Sequence, residues 1–153
     1  EAATCLDAPG IKAFQIPFSP LDTRHLESGT LKKCRQRNVA VFVRSVFLQG
    51  LLAEKSDAQG WWPDELTPHV TKFHEMSAAL GMSGRQLAVA FVRAFDEICG
   101  MVLGAETSRQ VEDNITLFAA DPLSRKEAER IAREFHGLPE TLISPALWVK
   151  DRK

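Results

Sequence analysis

The 153-residue sequence contains no tyrosine and has only three cysteines, Cys5, Cys34 and Cys99, without a Cys-x-x-Cys pair. The missing tyrosine excludes a phenolic acid or base within this chain. An odd number of widely spaced cysteines argues against a disulfide framework and favours free buried thiols, so we expect a cytoplasmic protein. His69 and His74 are five positions apart, which does not align two metal ligands on one helix face. We therefore expect surface histidines and no metal site.

A strong charge of one sign and a long apolar run are also missing. The formal net charge is -1, which argues against a general binder of nucleic acid or anionic membranes. No apolar stretch approaches the roughly 18–20 residues of a membrane span. The chain starts with Glu1-Ala-Ala-Thr, which is neither an initiator Met nor a signal peptide and resembles the end of a helix. We expect one globular domain that begins within a larger fold.

Two strand-then-loop units, 39–52 and 101–114, each contain an apolar run that ends in a small or polar turn. In a parallel sheet, such strand ends present backbone N–H groups to a ligand, and the next helix adds its positive N-terminus. The pattern along the chain predicts strands at 11–18, 39–43 and 98–103 and helices at 1–6, 21–37, 67–81, 84–95, 108–118 and 124–135. A long connection at 51–68 and an irregular tail at 138–153 complete this prediction.

Strands that alternate with helices predict parallel βαβ units and an α/β fold. Three parallel strands leave two bare edges, and parallel sheets need cover on both faces. We therefore expect these strands to form part of a larger sheet or barrel.

Four segments of the chain carry a resemblance to a known family. They are Gln15-Ile-Pro-Phe-Ser-Pro-Leu-Asp22, Arg44-Ser-Val-Phe-Leu-Gln-Gly-Leu-Leu52, Ser83-Gly-Arg-Gln-Leu-Ala-Val-Ala-Phe-Val92 and Gly104-Ala-Glu-Thr-Ser-Arg-Gln-Val-Glu-Asp-Asn114. Their amino-acid sequences and their order resemble the C-terminal half of the aldo-keto reductases, and the resemblance covers nearly the whole chain. The resemblance implies a partial TIM (β/α)8 barrel, in which residues 1–153 cover roughly strands six to eight and their helices.

The same resemblance implies the cofactor-binding portion of an oxidoreductase that reduces a carbonyl substrate with NADP or NAD. The sequence of residues 44–52 most resembles that of reductases associated with bacterial surface-sugar pathways, which suggests a sugar substrate. The family's catalytic Asp, Tyr, Lys and His lie in the half that this chain does not cover, so we predict no catalytic residue here. The alternative is a non-catalytic truncated barrel that binds a nucleotide or a protein partner. In both cases we expect self-association or a missing N-terminal half.

The resemblance assigns the nicotinamide and pyrophosphate ends of the cofactor to two regions. Gln15 holds the position that bonds the nicotinamide amide, although it could equally be a satisfied buried polar group. Arg44 stands where family members often place an aromatic ring on the nicotinamide; a guanidinium can also stack, pair with a substrate carboxylate or sugar-linked phosphate, or form an ion pair. Ser45 to Gly50, including Leu48, would wrap the pyrophosphate with backbone amides, unless they form an ordinary turn with apolar side chains in the core.

The adenosine end is assigned to the unit that follows the last strand, with Gly104, Ala105, Glu106, Gln110 and Asn114. Gln110 and Asn114 are four residues apart, so they share a helix face that either reaches the adenine or is solvated. Many NADPH-preferring members have a basic residue where this chain has Glu106. A carboxylate would repel a 2′-phosphate but accept hydrogen bonds from a free ribose 2′-OH, unless Arg109 compensates for its charge.

Trp61 and Trp62 lie in the long connection that borders the substrate mouth in this family. Paired tryptophan rings can stack on a sugar ring, or they can simply cover the end of the barrel. The first reading makes them substrate-binding residues.

Overall fold

Helices and strands alternate along residues 2–53 and 62–148, the part of the chain described by the structure, which is a computed structural model. The strands are β1 Ala13–Pro17, β2 Ala40–Arg44 and β3 Gly100–Met101. The helices are α1 Ala2–Leu6, α2 Arg24–Glu27, α3 Thr30–Gln36, α4 Thr67–Ala79, α5 Gly84–Arg93, α6 Ser108–Leu117, α7 Arg125–Glu134 and α8 Glu140–Ile143. Short 3₁₀ helices occupy Asp64–Leu66 and Pro145–Leu147.

The three strands form one parallel sheet in the order β1-β2-β3, which confirms the predicted βαβ arrangement. In the register, Gln15 lies beside Phe42, and Phe42 lies beside Gly100. β3 is shorter than the predicted 98–103. The Cys99 N–H donates to the Val41 carbonyl and the Val102 N–H donates to the Val43 carbonyl, so the flanking residues still bond to β2.

The two faces of the sheet have different surroundings, since alternate side chains of a strand point to opposite faces. Ile16, Val41 and Val43 are buried in the apolar core. On the opposite face Phe42 is 42% exposed, and Val102, just past β3, is 49% exposed. Within the described residues, one face of the sheet is therefore covered and the other is open, as expected for part of a larger sheet.

The helix predicted at 21–37 is wrong in one respect, because it is divided into α2 and α3. Gly29 adopts a left-handed conformation with φ of 70° between them, which a glycine reaches without steric cost. A turn between Ser19 and Asp22 keeps the start of the predicted segment out of the helix; the Asp22 N–H donates to Ser19 Oγ at 3.1 Å.

The tail predicted as irregular contains α8 and a 3₁₀ helix. Its Trp148 is buried, and the indole N–H donates to the Leu142 carbonyl at 3.1 Å. Ser83 caps α5 and Ser124 caps α7. Each serine forms a capping box, in which it exchanges hydrogen bonds with the third residue of its helix. No helix in the described ranges combines the length and the hydropathy that crossing a membrane would require.

The expectations for the cysteines and histidines need two corrections. The three thiols are free, but only Cys34 is buried, whereas Cys5 and Cys99 are exposed. Burial raises the pKa of the Cys34 thiol. His74 is not a surface residue: it is buried on α4, where its ring bonds the end of the loop that follows β2.

Candidate functional site

A cleft of about 690 Å³ lies where the loops after β2 and β3 meet. Because the carboxyl ends of parallel strands share one edge of the sheet, both loops open on that edge, together with the first turns of α5 and α6. The cleft is lined by Ser45, Val46, Phe47, Gln49, Gly50, Ala53, Arg85, Val102, Leu103, Gly104, Ala105, Glu106, Gln110 and Asn114.

Seven of the ten residues predicted to bind a cofactor line this cleft: Ser45, Gly50, Gly104, Ala105, Glu106, Gln110 and Asn114. Gln15, Arg44 and Leu48 do not line it. Trp62 is described and also lies outside the cleft lining, whereas Trp61 falls outside the described residues. The structure thus gathers the predicted pyrophosphate and adenosine regions into one concave site.

The loop after β2 has an unusual backbone. Ser45, Leu48, Gln49 and Gly50 have φ values of 59°, 44°, 57° and 92°, and left-handed conformations are uncommon for residues other than glycine. Each such non-glycine residue costs on the order of 1–3 kcal/mol and tends to occur at binding sites.

The amides of this loop divide into two groups. The N–H groups of Leu48 and Gly50 donate inside the turn, to the carbonyls of Ser45 and Phe47. Within the described ranges, the N–H groups of Ser45 and Gln49 make no backbone hydrogen bond. Such free amides fit the anionic oxygens of a pyrophosphate.

The loop after β3 is shaped by the cap of α6. Thr107 Oγ1 accepts a hydrogen bond from the Gln110 N–H, and Gln110 Oε1 accepts one from the Glu106 N–H at 2.6 Å. The side chain of Glu106 is exposed at the cleft. Across residues 2–53 and 62–148 there is no ion pair between Glu106 and Arg109. The charge of Glu106 is therefore not neutralised by its neighbour on the helix.

Arg85 is a cleft residue that sequence reasoning missed. Its Nη2 donates to Asn114 Oδ1 at 2.7 Å, and its guanidinium carbon lies 5.5 Å from the centre of the Phe47 ring. Asn114 is only 8% exposed, and its Nδ2 donates to the Gly104 carbonyl at 3.3 Å. Arg85 therefore joins the loop after β2 to the start of α6. Its one sequence signal is a cation in the first turn of a helix, where the helix dipole disfavours positive charge.

Next to the cleft residue Arg85, α5 makes a close contact with the end of the loop after β2. A Cβ on Gly84 would lie under 3.0 Å from the Leu52 carbonyl oxygen and 2.9 Å from Cε1 of His74. His74 Nε2 donates to the Leu51 carbonyl at 2.9 Å. Only a glycine at position 84 allows this approach, which brings the first turn of α5 up to the loop.

A smaller cavity of about 300 Å³ lies beside the cleft and contains Arg44. Arg44 is exposed, and its Nη1 donates to Ser45 Oγ at 3.2 Å. No ion pair involves Arg44 among the residues described. Arg24 on the same cavity is paired instead, and its hydrogen bond to Asp22 raises the pKa of its guanidinium. Arg44 is therefore a free positive charge at the end of β2.

The other predicted residues have local roles or lie on the open face. Gln15 is exposed on β1, beside Phe42. Leu48 is 1% exposed and belongs to the core. Trp62 is half-buried against the core, and its indole N–H donates to Thr67 Oγ1 at 3.2 Å. The described part of the chain contains no group of three His, Cys, Asp or Glu that could hold a metal ion.

Comparisons with known proteins agree with this architecture. The profile of the aldo/keto reductase family matches residues 1–133. Aldo-keto reductase AKR11C1 from Bacillus halodurans has a TM-score of 0.72 in its holo form and 24% identity, over 86% of this chain and 45% of that chain. Its apo form gives the same TM-score and identity, over 86% of this chain and 46% of that chain.

A thermostable aldo-keto reductase, Tm1743, in complex with the inhibitor epalrestat has a TM-score of 0.57 and 15% identity, over 79% of this chain and 39% of that chain. A comparison with curated proteins found no significant match. The chain spans less than half the length of the solved structures that it matches. The comparisons confirm the predicted α/β fold as part of a (β/α)8 barrel.

Proposed function

Because the chain belongs to the aldo/keto reductase family, we propose that it is the cofactor-binding, C-terminal portion of an NAD(P)-dependent enzyme that reduces a carbonyl substrate. The observation that carries this proposal is the convergence of two loops, distant in sequence, on one cleft at the carboxyl edge of the sheet. Ligands of parallel α/β folds bind at this edge.

The residues of the cleft suit the parts of a dinucleotide. The free amides of Ser45 and Gln49 would bind the pyrophosphate, and Gln110 and Asn114 on α6 would face the adenosine. Glu106 would accept hydrogen bonds from a ribose 2′-OH. When bound, the nicotinamide cofactor supplies the hydride that reduces the carbonyl.

Two residues at the adjoining edge extend this proposal toward the substrate. Gln15 on β1 would bond the nicotinamide amide. Arg44 would stack on the nicotinamide or pair with an anionic group of the substrate, since its charge is free within the described ranges. A sugar substrate would add stacking on Trp61 and Trp62.

Direct titration tests the proposal. The 153-residue chain is titrated with NADH, NADPH and ADP-ribose by calorimetry, and we expect saturable binding at one site. Gly104→Leu provides the blocking variant: Gly104 lines the cleft and a Cβ there meets no atom within 4 Å, so we expect the fold to accept a side chain that narrows the cleft. Ala119→Leu, at an exposed position outside the cleft lining, is the matched control.

We expect Gly104→Leu to lose nucleotide binding and Ala119→Leu to keep it. Equal affinity in both variants would place the nucleotide elsewhere. Absence of binding by the unmodified chain would contradict the cofactor role itself.

A second candidate function is a non-catalytic module that binds a nucleotide or a protein partner. The absence of tyrosine favours it, because this chain alone has no phenol to donate a proton to a carbonyl oxygen. Nucleotide binding that never supports carbonyl reduction, even when the remainder of a barrel is supplied, would favour the module over the enzyme.

A further inference from the structure

The positive charge of Arg85 has no opposite charge paired with it in the described part of the chain. Among the described residues that line the cleft, Arg85 is the single cation and Glu106 the single anion. No carboxylate in residues 2–53 or 62–148 forms an ion pair with Arg85. Its position in the first turn of α5 adds the positive end of a helix dipole to the same place.

Of the other partly buried arginines of the described chain, two are paired with carboxylates and one is bonded to a carbonyl, and none has a buried side-chain nitrogen without a hydrogen-bond partner. Arg24 pairs with Asp22 and Glu140, and Arg125 pairs with Glu97 and Glu129. Arg93 donates to the Ala120 carbonyl. These contacts account for the guanidinium groups without any ligand.

Arg85 differs because its hydrogen bonds are incomplete. Its Nε is buried and has no hydrogen-bond partner in the described structure, and its Nη2 reaches only the neutral amide oxygen of Asn114. Phe47 supports one face of the guanidinium. A buried donor without a partner is unfavourable, and a planar guanidinium is suited to bidentate binding of phosphate.

We propose that Arg85 anchors a phosphate group of the dinucleotide, an inference that rests on the proposed function. Gly84 brings the first turn of α5 against the loop that would hold the pyrophosphate, so Arg85 enters the cleft beside the free loop amides. The cofactor's phosphates add negative charge to a site that already contains Glu106, and Arg85 supplies the opposing charge. Its bond to Asn114 links the phosphate contact to the start of the adenosine region.

The test compares Arg85→Met with Arg93→Met in the 153-residue chain. Arg93 is a matched control: it is on the same helix, is partly exposed, lies 5.9 Å from the Phe118 ring and donates to the Ala120 carbonyl beyond the end of α6, but it is not a cleft residue. The ligands are adenosine, ADP-ribose, NADH and NADPH, and Kd is measured by calorimetry at several salt concentrations.

We expect Arg85→Met to weaken ADP-ribose binding by about 10- to 100-fold, the loss typical of a charge-assisted hydrogen bond, and to flatten its salt dependence. Adenosine binding should change little, Arg93→Met should behave as the unmodified chain, and Arg85→Lys should recover part of the affinity. A loss confined to NADPH would assign the 2′-phosphate, whereas an equal loss for NADH and ADP-ribose would assign the pyrophosphate.

Three results would overturn this role. Unchanged affinity for all three phosphate-bearing ligands, ADP-ribose, NADH and NADPH, in Arg85→Met would do so while leaving the cofactor site intact. An equal loss for adenosine and ADP-ribose would show that Arg85 only supports the fold. If Arg85→Met does not fold, Arg85→Lys decides: weaker binding of a phosphate-bearing ligand with unchanged adenosine affinity supports the anchor, whereas no loss at all, or a loss shared with adenosine, refutes it. A chain that binds no nucleotide at all refutes the proposed function first.

Discussion

Gly84→Ala should destabilise the protein, because Gly84 lies where α5 packs closely against the end of the loop after β2. The added Cβ would lie under 3.0 Å from the Leu52 carbonyl oxygen, a backbone atom, and 2.9 Å from the His74 ring. His74 cannot move freely, since it also bonds the Leu51 carbonyl. Overpacking of this kind costs about 1–3 kcal/mol, and the better helix propensity of alanine returns less than about 1 kcal/mol.

The expected net loss is therefore about 1–2 kcal/mol, or a Tm lower by roughly 2–8 °C for a domain of this size. Urea and thermal unfolding followed by circular dichroism measure it. Gly104→Ala is the control, because a Cβ at position 104 meets no atom within 4 Å, so its stability should stay within about 0.5 kcal/mol of the unmodified chain. Gly84→Ala with equal or greater stability would refute the close packing of α5 on this loop.

Four further predictions concern stability, specificity, activity and assembly. Burial raises the pKa of Glu97, but the hydrogen bond from Arg125, a backbone hydrogen bond and the charges of Arg125 and Arg35 together lower it by more, so Glu97→Gln should cost about 1 kcal/mol at pH 7. That stability is present above the unfolded pKa of 4.5 and lost as the pH falls through the lower folded value, so denaturation curves of the two proteins should converge in acid; a constant gap would refute the ion pair. Glu106→Arg should shift the ratio of Kd values toward NADPH, with Glu112→Arg as the control of equal charge change; an unchanged ratio would contradict the assignment of Glu106. The 153-residue chain alone should oxidise NADPH with a carbonyl substrate no faster than buffer does, and a faster rate would show that another group donates the proton. Sedimentation velocity should show self-association, because β1 and β3 are edge strands and Phe42 is exposed between them; a cooperatively unfolding monomer would contradict this.

The elements that sequence predicted well are those with strong local signals. The apolar run at 39–43 became β2, which is buried on one face, and the helices predicted from 84 and 124 start at the caps Ser83 and Ser124. The single helix predicted at 21–37 was wrong because the apolar pattern on both sides of Gly29 is helical. In the structure, Gly29 adopts a left-handed conformation and divides the helix. Pattern alone did not reveal this break.

The site was partly predictable for a different reason. The loops after β2 and β3 follow apolar runs and resemble family segments, so their place at one edge of the sheet could be inferred. Arg85 could not, because its contact with Asn114 spans 29 positions and has no local pattern. His74 was likewise expected at the surface, since its partner Leu51 is 23 positions away. Contacts of this range are set by packing of α4, α5 and α6, not by neighbours in sequence.

Hydrogen–deuterium exchange of the 153-residue chain with and without saturating NADPH tests the central claim most directly. The free amides of Ser45 and Gln49 and the amides of residues 103–105, which donate no backbone hydrogen bond within the described ranges, should exchange more slowly with the nucleotide bound. Peptides from α7, which lies outside the cleft lining, should be unchanged. Protection confined to 44–50 and 102–106 is the result that a dinucleotide in this cleft predicts. No protection, or protection only on the open face of the sheet, would contradict it.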